Sequence, residues 1–539
     1  STSMSTRLPL LVGIGYLTEH PRRSVASLMP DLRHLLIILL LAVMSGCDSV
    51  PQEPLSVGAD SPQVRYTGRW NDDDPAAPWV GWQGSTVSIR FRGGEIVADL
   101  DVGEAGEHFR VIIDGVPEEP YRVLPPGRQT ITLATGLDTQ IEHSAVLMKE
   151  TYKSSRTTFY GFELLGSEVL DPPPRPEKRI AFFGDSNMEG FSLYSEKDNG
   201  EVGTYFAYPA TVSRMLGAEM HLQARGGATL AGGRNNNVLS FIYSEELDNS
   251  KPPYRSGFRP QVIVVNAGAN DISRLPISTQ KDTIKERYRS VITQLRKVYG
   301  EKPHIILYNA YGWAENEPAN YSAEIAYEFG ENVSVLLFPW CWEQWHGDMV
   351  DHAGQAVRLA NYIESLHLGF AIEREPEVVS GYGKGFDVAN GSFEGGARDG
   401  YAGFGWRYSE DGVQRIRDAA ADGQYFIRLG TAKSVHQCID ATGDFSPGGT
   451  AGSQLYQVTA SIRSASADAE AIIAADFEEQ AMYRRANQRR KSFSVTDEWQ
   501  DYSAVFTAPE GTWKVYFVLR SQQGDIDFDN VRVTPVESP

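Results

Sequence analysis

The chain has 539 residues, 41% of them hydrophobic and 11% aromatic, with 51 Gly, 29 Pro and 3 Cys. That length exceeds a single core and implies roughly three or four units, while the apolar content excludes general disorder. A formal charge of −20 repels polyanions, so nucleic acid and anionic headgroups are excluded as partners and a neutral substrate is expected.

Residues 32–47, LRHLLIILLLAVMSGC, hold an apolar run too short to span a bilayer but suited to a signal-peptide core. Export is therefore expected. The end of the run, Met44-Ser45-Gly46-Cys47, resembles a bacterial lipobox, which implies cleavage before Cys47 and lipidation of that residue. Residues 1–47 are then an upstream segment and lipoprotein signal peptide, and the mature chain is anchored to a bacterial membrane on its periplasmic or cell-surface side. Cys341 and Cys438 are too few for a disulfide framework, and free thiols are expected. Residues 48–63, rich in Pro, Ser and Asp, read as a tether.

Between 64 and 170 short runs such as EIVADLDV, HFRVIIDGV, QTITLATGL and HSAVLMKET alternate or cluster β-branched residues between Gly and Pro groups, which predicts a β-sandwich. DPPPRPEK, 171–178, is a stiff linker. From 179 to 373 apolar strands (IAFFG, QVIVVNAG, HIILYNA, VSVLLFPW) alternate with helical stretches (QKDTIKERYRSVITQLRKVYG, GQAVRLANYIESL). Such alternation predicts an α/β domain, a parallel sheet with helices on both faces and ligands at the carboxyl ends of its strands. Those ends read GDSN, ARGGAT, NAGANDIS and FPWCWEQWHGD. From 378 to 539 only strand-like runs persist, and a second β-sandwich is expected.

Polar, glycine-rich chemistry thus collects on one edge of the central sheet, where acyl transfer would need a nucleophile, a base, an orienting group and oxyanion donors. Ser186 stands where a buried strand breaks into a loop, a place that exposes its Oγ. His346 is the expected base, with Glu343 three residues earlier to hold its tautomer. His352 is the rival base, and Asp348 and Asp351 are the rival acids. The backbone N–H groups of Ser186 and Gly227 and the Asn270 side chain are the expected oxyanion donors. Arg225 and Asn235 are placed to meet sugar hydroxyls, and Trp342 and Trp345 to stack on pyranose faces, although loop solvation and core packing are the plainer roles for each. No paired-Cys or His-x-x-x-His spacing and no phosphate-binding glycine motif occurs, so catalysis is expected to need no cofactor.

These blocks carry a resemblance to the SGNH (GDSL-type) hydrolases: Gly184-Asp185-Ser186 followed by Asn187, Gly227 in ARGGAT, and Gly268-Ala269-Asn270-Asp271. The usual Asp-x-x-His-Pro is replaced by Glu343-Gln344-Trp345-His346-Gly347. The resemblance implies a flavodoxin-like catalytic fold with a serine nucleophile. Upstream, YTGRW, PWVGWQGSTVSIRFRGGEIVADL and FYGFELLG resemble the jelly-roll domain that precedes the catalytic domain in family 2 carbohydrate esterases, which deacetylate xylan and related glycans. Some of that family use a Ser-His dyad without a carboxylate. NGSFE and FDNVRV, near the two ends of the last domain, resemble carbohydrate-binding modules of the family 4/9 type, also jelly rolls, which implies glycan binding and a structural Ca²⁺ at Glu394 and Asp529. The expected activity is removal of O-acetyl groups from an acetylated polysaccharide or oligosaccharide. A lipase or thioesterase acting on longer acyl esters and a non-catalytic glycan-binding surface lipoprotein are the alternatives.

Overall fold

The computed structural model describes residues 53–539 except 153–155, 166–167, 195–200, 234, 243–256, 312–317, 340–345, 379–387, 396–402, 404, 409–410, 442–448, 480–484 and 537–539. Cys47, the expected lipid acceptor, lies outside the described residues.

The first β-rich domain includes strands whose side chains alternate strictly. In Thr86–Arg92 and Glu95–Val102 every second residue is buried. Because successive side chains in a strand point to opposite faces, Val87, Ile89 and Phe91 meet Ile96, Ala98, Leu100 and Val102 in one core between two antiparallel sheets. One sheet runs Gly127–Thr135, Glu95–Val102, Thr157–Leu165, Trp79–Val80, Trp70–Asn71, and Leu55–Gly58 pairs with its Thr157–Leu165 strand. The other is centred on Thr86–Arg92, His143–Lys149 and Glu107–Ile113.

The central sheet has five strands, all parallel, in the order Glu219–Ala224, Arg179–Gly184, Val262–Asn266, His304–Tyr311, Val333–Pro339. Its inner strands do not alternate: Val262–Asn266 is buried throughout, because helices cover both faces. The 23-residue helix Ile277–Tyr299 lays Ile284, Tyr288, Val291, Ile292 and Leu295 on one face. Helix Met349–Ser365 lays Ala356, Val357, Leu359, Ala360 and Ile363 on the other.

The strand-rich C-terminal region is a pair of antiparallel sheets, one of five strands and one of four, around a core that includes Trp406, Tyr456, Phe517 and Phe528. Neither flanking domain hangs free of the centre. Trp82 of the first domain is buried in the central core against Tyr152 and Phe241, and Arg69 donates to the carbonyls of Phe241 and Ile242 and to Tyr299 Oη. Trp82 is therefore a packing residue of the seam. Glu150 is a further buried fastening: its carboxylate accepts Arg110 Nε at 2.6 Å, Tyr205 N–H at 2.9 Å, Tyr194 Oη–H at 3.2 Å and the N–H of Thr204.

Candidate active site

Strand Arg179–Gly184 delivers its last residue into a space that only glycine fits, since a Cβ at Gly184 would stand 2.7 Å from Asn266 O and 2.8 Å from Met188 Cβ. The chain then turns at Asp185, whose carboxylate caps the short helix Ser186–Glu189 by accepting Asn187 N–H at 3.1 Å. Ser186 is thereby the first residue of the helix, half-buried at the sheet edge. Asn187 Nδ2 donates to Asn266 Oδ1 at 2.9 Å and Tyr208 Oη–H to the same oxygen at 3.2 Å, which ties the nucleophile turn to the neighbouring strand.

His346 Nε2 lies 2.9 Å from Ser186 Oγ, and the imidazole rests on the Phe191 ring at 4.5 Å between centroids. His352, the rival base, is placed differently. It is fully buried in the helix Met349–Ser365, its Nδ1 accepts Tyr208 N–H at 3.2 Å, and its ring stacks on Tyr208 at 5.9 Å. Burial first, and the neighbouring His346 second, push its pKa down to about 3. With Nδ1 committed to a backbone donor and the ring in a dry site, the geometry favours His346 over His352 as the base. Asp348 and Asp351 form the capping box of the same helix: Asp348 Oδ1 accepts Val350 N–H at 2.9 Å and Asp351 N–H at 3.2 Å, and Asp351 Oδ2 accepts Asp348 N–H at 2.9 Å. Both also take Arg407. As rival acids they are thus engaged at the helix start. Glu343, Trp342 and Trp345 lie outside the described residues.

Of the expected oxyanion donors, Gly227 follows Gly226, where a Cβ would stand 3.9 Å from Ser186 Cβ. Gly227 has φ +75°, a left-handed conformation that favours glycine, and a Cβ there would come 3.2 Å from Arg274 Nη2. Asn270 Nδ2 donates to Ala228 O at 3.0 Å, which fixes its amide against the same turn. Asp271 accepts Leu230 N–H at 2.9 Å and Arg287, so it steadies that loop. Arg225 sits over the Tyr152 ring at 5.4 Å, and Asn235 accepts Asn237 N–H at 3.0 Å through its backbone carbonyl.

Three site residues carry no motif of their own and were not anticipated: Glu189, Phe191 and Arg274. Asn236 Nδ2 holds Gly226 O at 2.9 Å. Glu189 accepts Gly226 N–H and is buried, and burial pushes its carboxyl up to about 8, partly offset by that N–H and by Arg225. The only signal available was a glutamate three residues after the serine, in a segment otherwise bound for the interior. A raised folded-state pKa contributes stability that is complete below the unfolded value near 4.5 and is lost as pH rises through 8. Glu189→Gln is therefore expected to flatten the loss of stability between pH 4.5 and 8, by up to about 1.4 kcal/mol per pH unit. Urea midpoints measured across that window check this, and wild-type and variant curves of equal slope would contradict it.

In the C-terminal domain the expected calcium carboxylates meet backbone donors. Glu394 Oε1 accepts the N–H groups of Gln424 and Tyr425 at 2.7 and 2.8 Å, and Asp529 Oδ2 those of Ala421 and Asp422 at 2.7 and 2.8 Å. Among the described residues no group of three or more His, Cys, Asp or Glu is arranged to hold a metal ion.

Residues 66–174 match the carbohydrate esterase 2 N-terminal family and residues 182–359 the GDSL-like lipase/acylhydrolase family. The cellulase/esterase CelE of Acetivibrio thermocellus is 28% identical over 330 residues, 57% of this chain and 40% of CelE, so the match spans well under half of that relative. An acetylxylan esterase / glucomannan deacetylase of Cellvibrio japonicus is 22% identical over 244 residues, 43% of this chain and 68% of its own length. Among solved structures, a family two carbohydrate esterase from Clostridium thermocellum in complex with cellohexaose is similar with a TM-score of 0.51 and 27% identity, covering 57% of this chain and 99% of that one. Ser186 and His346 thus meet inside the stretch that matches the GDSL-like lipase/acylhydrolase family, downstream of the stretch that matches the carbohydrate esterase 2 N-terminal family, and over both stretches the chain is similar to a solved family two carbohydrate esterase.

Proposed function

We propose that the protein is a serine esterase that removes O-acetyl groups from polysaccharide, xylan or a related glycan. The observation that carries this is the 2.9 Å contact between Ser186 Oγ and His346 Nε2 at the carboxyl edge of the sheet. Ser186 Oγ attacks the acetyl carbonyl as its proton passes to His346 Nε2, forming the Oγ–C bond. The backbone N–H groups of Ser186 and Gly227 and the Asn270 amide receive the oxyanion, one such donor contributing about 3 kcal/mol. His346 returns the proton to the sugar oxygen as the C–O bond breaks, and water repeats the sequence on the acyl-enzyme. The residues named need no cofactor for these steps.

The finer fold assignments belong to the same reading: jelly rolls on either side, a flavodoxin-like centre, supported by the strand order with the second strand outermost and the first beside it. Residues 378–539 are read as a carbohydrate-binding-module-like domain, and Cys47 as the lipid anchor of an exported protein.

Acetate release from acetylated xylan, together with p-nitrophenyl esters of two to eight carbons, tests the reading. Acetate release and a fall in kcat/KM of about tenfold or more from two to eight carbons are expected, since a pocket discriminates by roughly 1–3 kcal/mol per methylene. A preference for eight carbons would point to a lipase instead.

A further inference from the structure

The C-terminal domain reaches into the loop that carries the histidine. Residues 405–407 belong firmly to that domain: Trp406 is fully buried in its core, 5.2 Å from Phe393 between ring centroids, and its indole N–H donates to Asn390 O at 3.0 Å. Arg407 exchanges two backbone hydrogen bonds with His436, at 2.8 and 2.9 Å. The two polar groups flanking Trp406 nevertheless leave the domain. Gly405 N–H donates to Asp348 Oδ2 at 2.7 Å, Arg407 Nη1 to the same oxygen at 3.3 Å, and Arg407 Nη2 to Asp351 Oδ2. These carboxylates are the capping box that starts two residues beyond His346. All three side chains are buried, Asp348 completely.

Two buried carboxylates that share one helix start repel each other, and a helix N-terminus offsets only part of that charge. The guanidinium across both of them supplies the rest. From these contacts we infer that Arg407 is a positioning residue of the esterase site, through which the C-terminal domain holds the His346 loop at Ser186. This rests on the esterase reading above. A domain that served only to bind glycan at the end of a linker would need no buried cation at this point. Displacing a base by about 1 Å costs on the order of 10²-fold, so the effect falls on kcat rather than on binding of a small ester.

The test uses the full chain with Arg407→Met, which keeps an apolar stem of similar length, and Arg407→Lys, which keeps the charge without the fork. On p-nitrophenyl acetate, Arg407→Met is expected to lower kcat by about 10- to 100-fold with KM within about twofold, and Arg407→Lys to recover part of the loss. Thermal unfolding identifies a variant that fails to fold. If Arg407→Met does so, Arg407→Lys alone decides: a lowered kcat at constant KM supports the inference, and wild-type kcat overturns it. A raised KM at unchanged kcat, or wild-type kinetics in both variants, also overturns it while leaving the esterase standing. A wild-type chain without Ser186-dependent hydrolysis removes both.

Discussion

Ser186→Ala is expected to lower kcat/KM on p-nitrophenyl acetate by roughly 10⁴- to 10⁶-fold, to the residue of catalysis that oxyanion donors and binding supply without a nucleophile. His346→Ala should cost nearly as much, because the neutral serine hydroxyl is a weak nucleophile unless a base takes its proton. The two act as one unit across the 2.9 Å contact, so the double variant should be no worse than either single one. Steady-state kinetics of the three variants, with fluorophosphonate labelling of Ser186 in the wild type, provide the check. Losses that multiply in the double variant would show that serine and histidine work separately, and undiminished turnover in Ser186→Ala would end the esterase reading.

Glu150→Ala is expected to destabilise the protein by about 3–5 kcal/mol, the scale for removing one partner of a buried ion pair. Glu150 and Arg110 are 0% and 1% exposed at their side chains. Truncation would leave the Arg110 guanidinium in a dry seam with Tyr194 Oη and Glu118 O, and would orphan the Thr204 and Tyr205 N–H groups. The damage falls near the site, because Gly190 O accepts the N–H of Gly203, the residue before Thr204. Chemical denaturation of Glu150→Ala and Glu150→Gln measures it; Gln keeps an acceptor for the backbone donors and should recover part of the loss. A variant as stable as wild type would mean that the Glu150 contacts do not fasten the two domains.

Much of the architecture could be read from local pattern. Strict alternation in Thr86–Arg92 and Glu95–Val102 marks half-buried antiparallel strands, and the apolar run at Val262–Asn266 marks a strand covered on both faces; in each the period follows from which faces are dry. Gly184-Asp185-Ser186 was recognisable at a strand end, where a Cβ at Gly184 would clash and Asp185 caps the helix, and Gly268-Ala269-Asn270-Asp271 by resemblance, with Gly268 at φ +131°. Those demands are local, and so the sequence by itself determined the strand ends and the serine that stands on one of them.

What it could not determine were the pairings between distant residues. His346 and His352 are six positions apart and chemically equal in the sequence; only packing sends one to Ser186 and the other behind Tyr208. Glu189 is an ordinary acid until burial raises its pKa. Arg407 is 59 positions from Asp348, and no period or propensity joins them. Such contacts arise where the cores of the three domains press together and every charge left in the seams must find a partner away from water. The tertiary structure decided which histidine meets the serine, and through Asp348 and Asp351 it bound the last domain to the loop that carries that histidine.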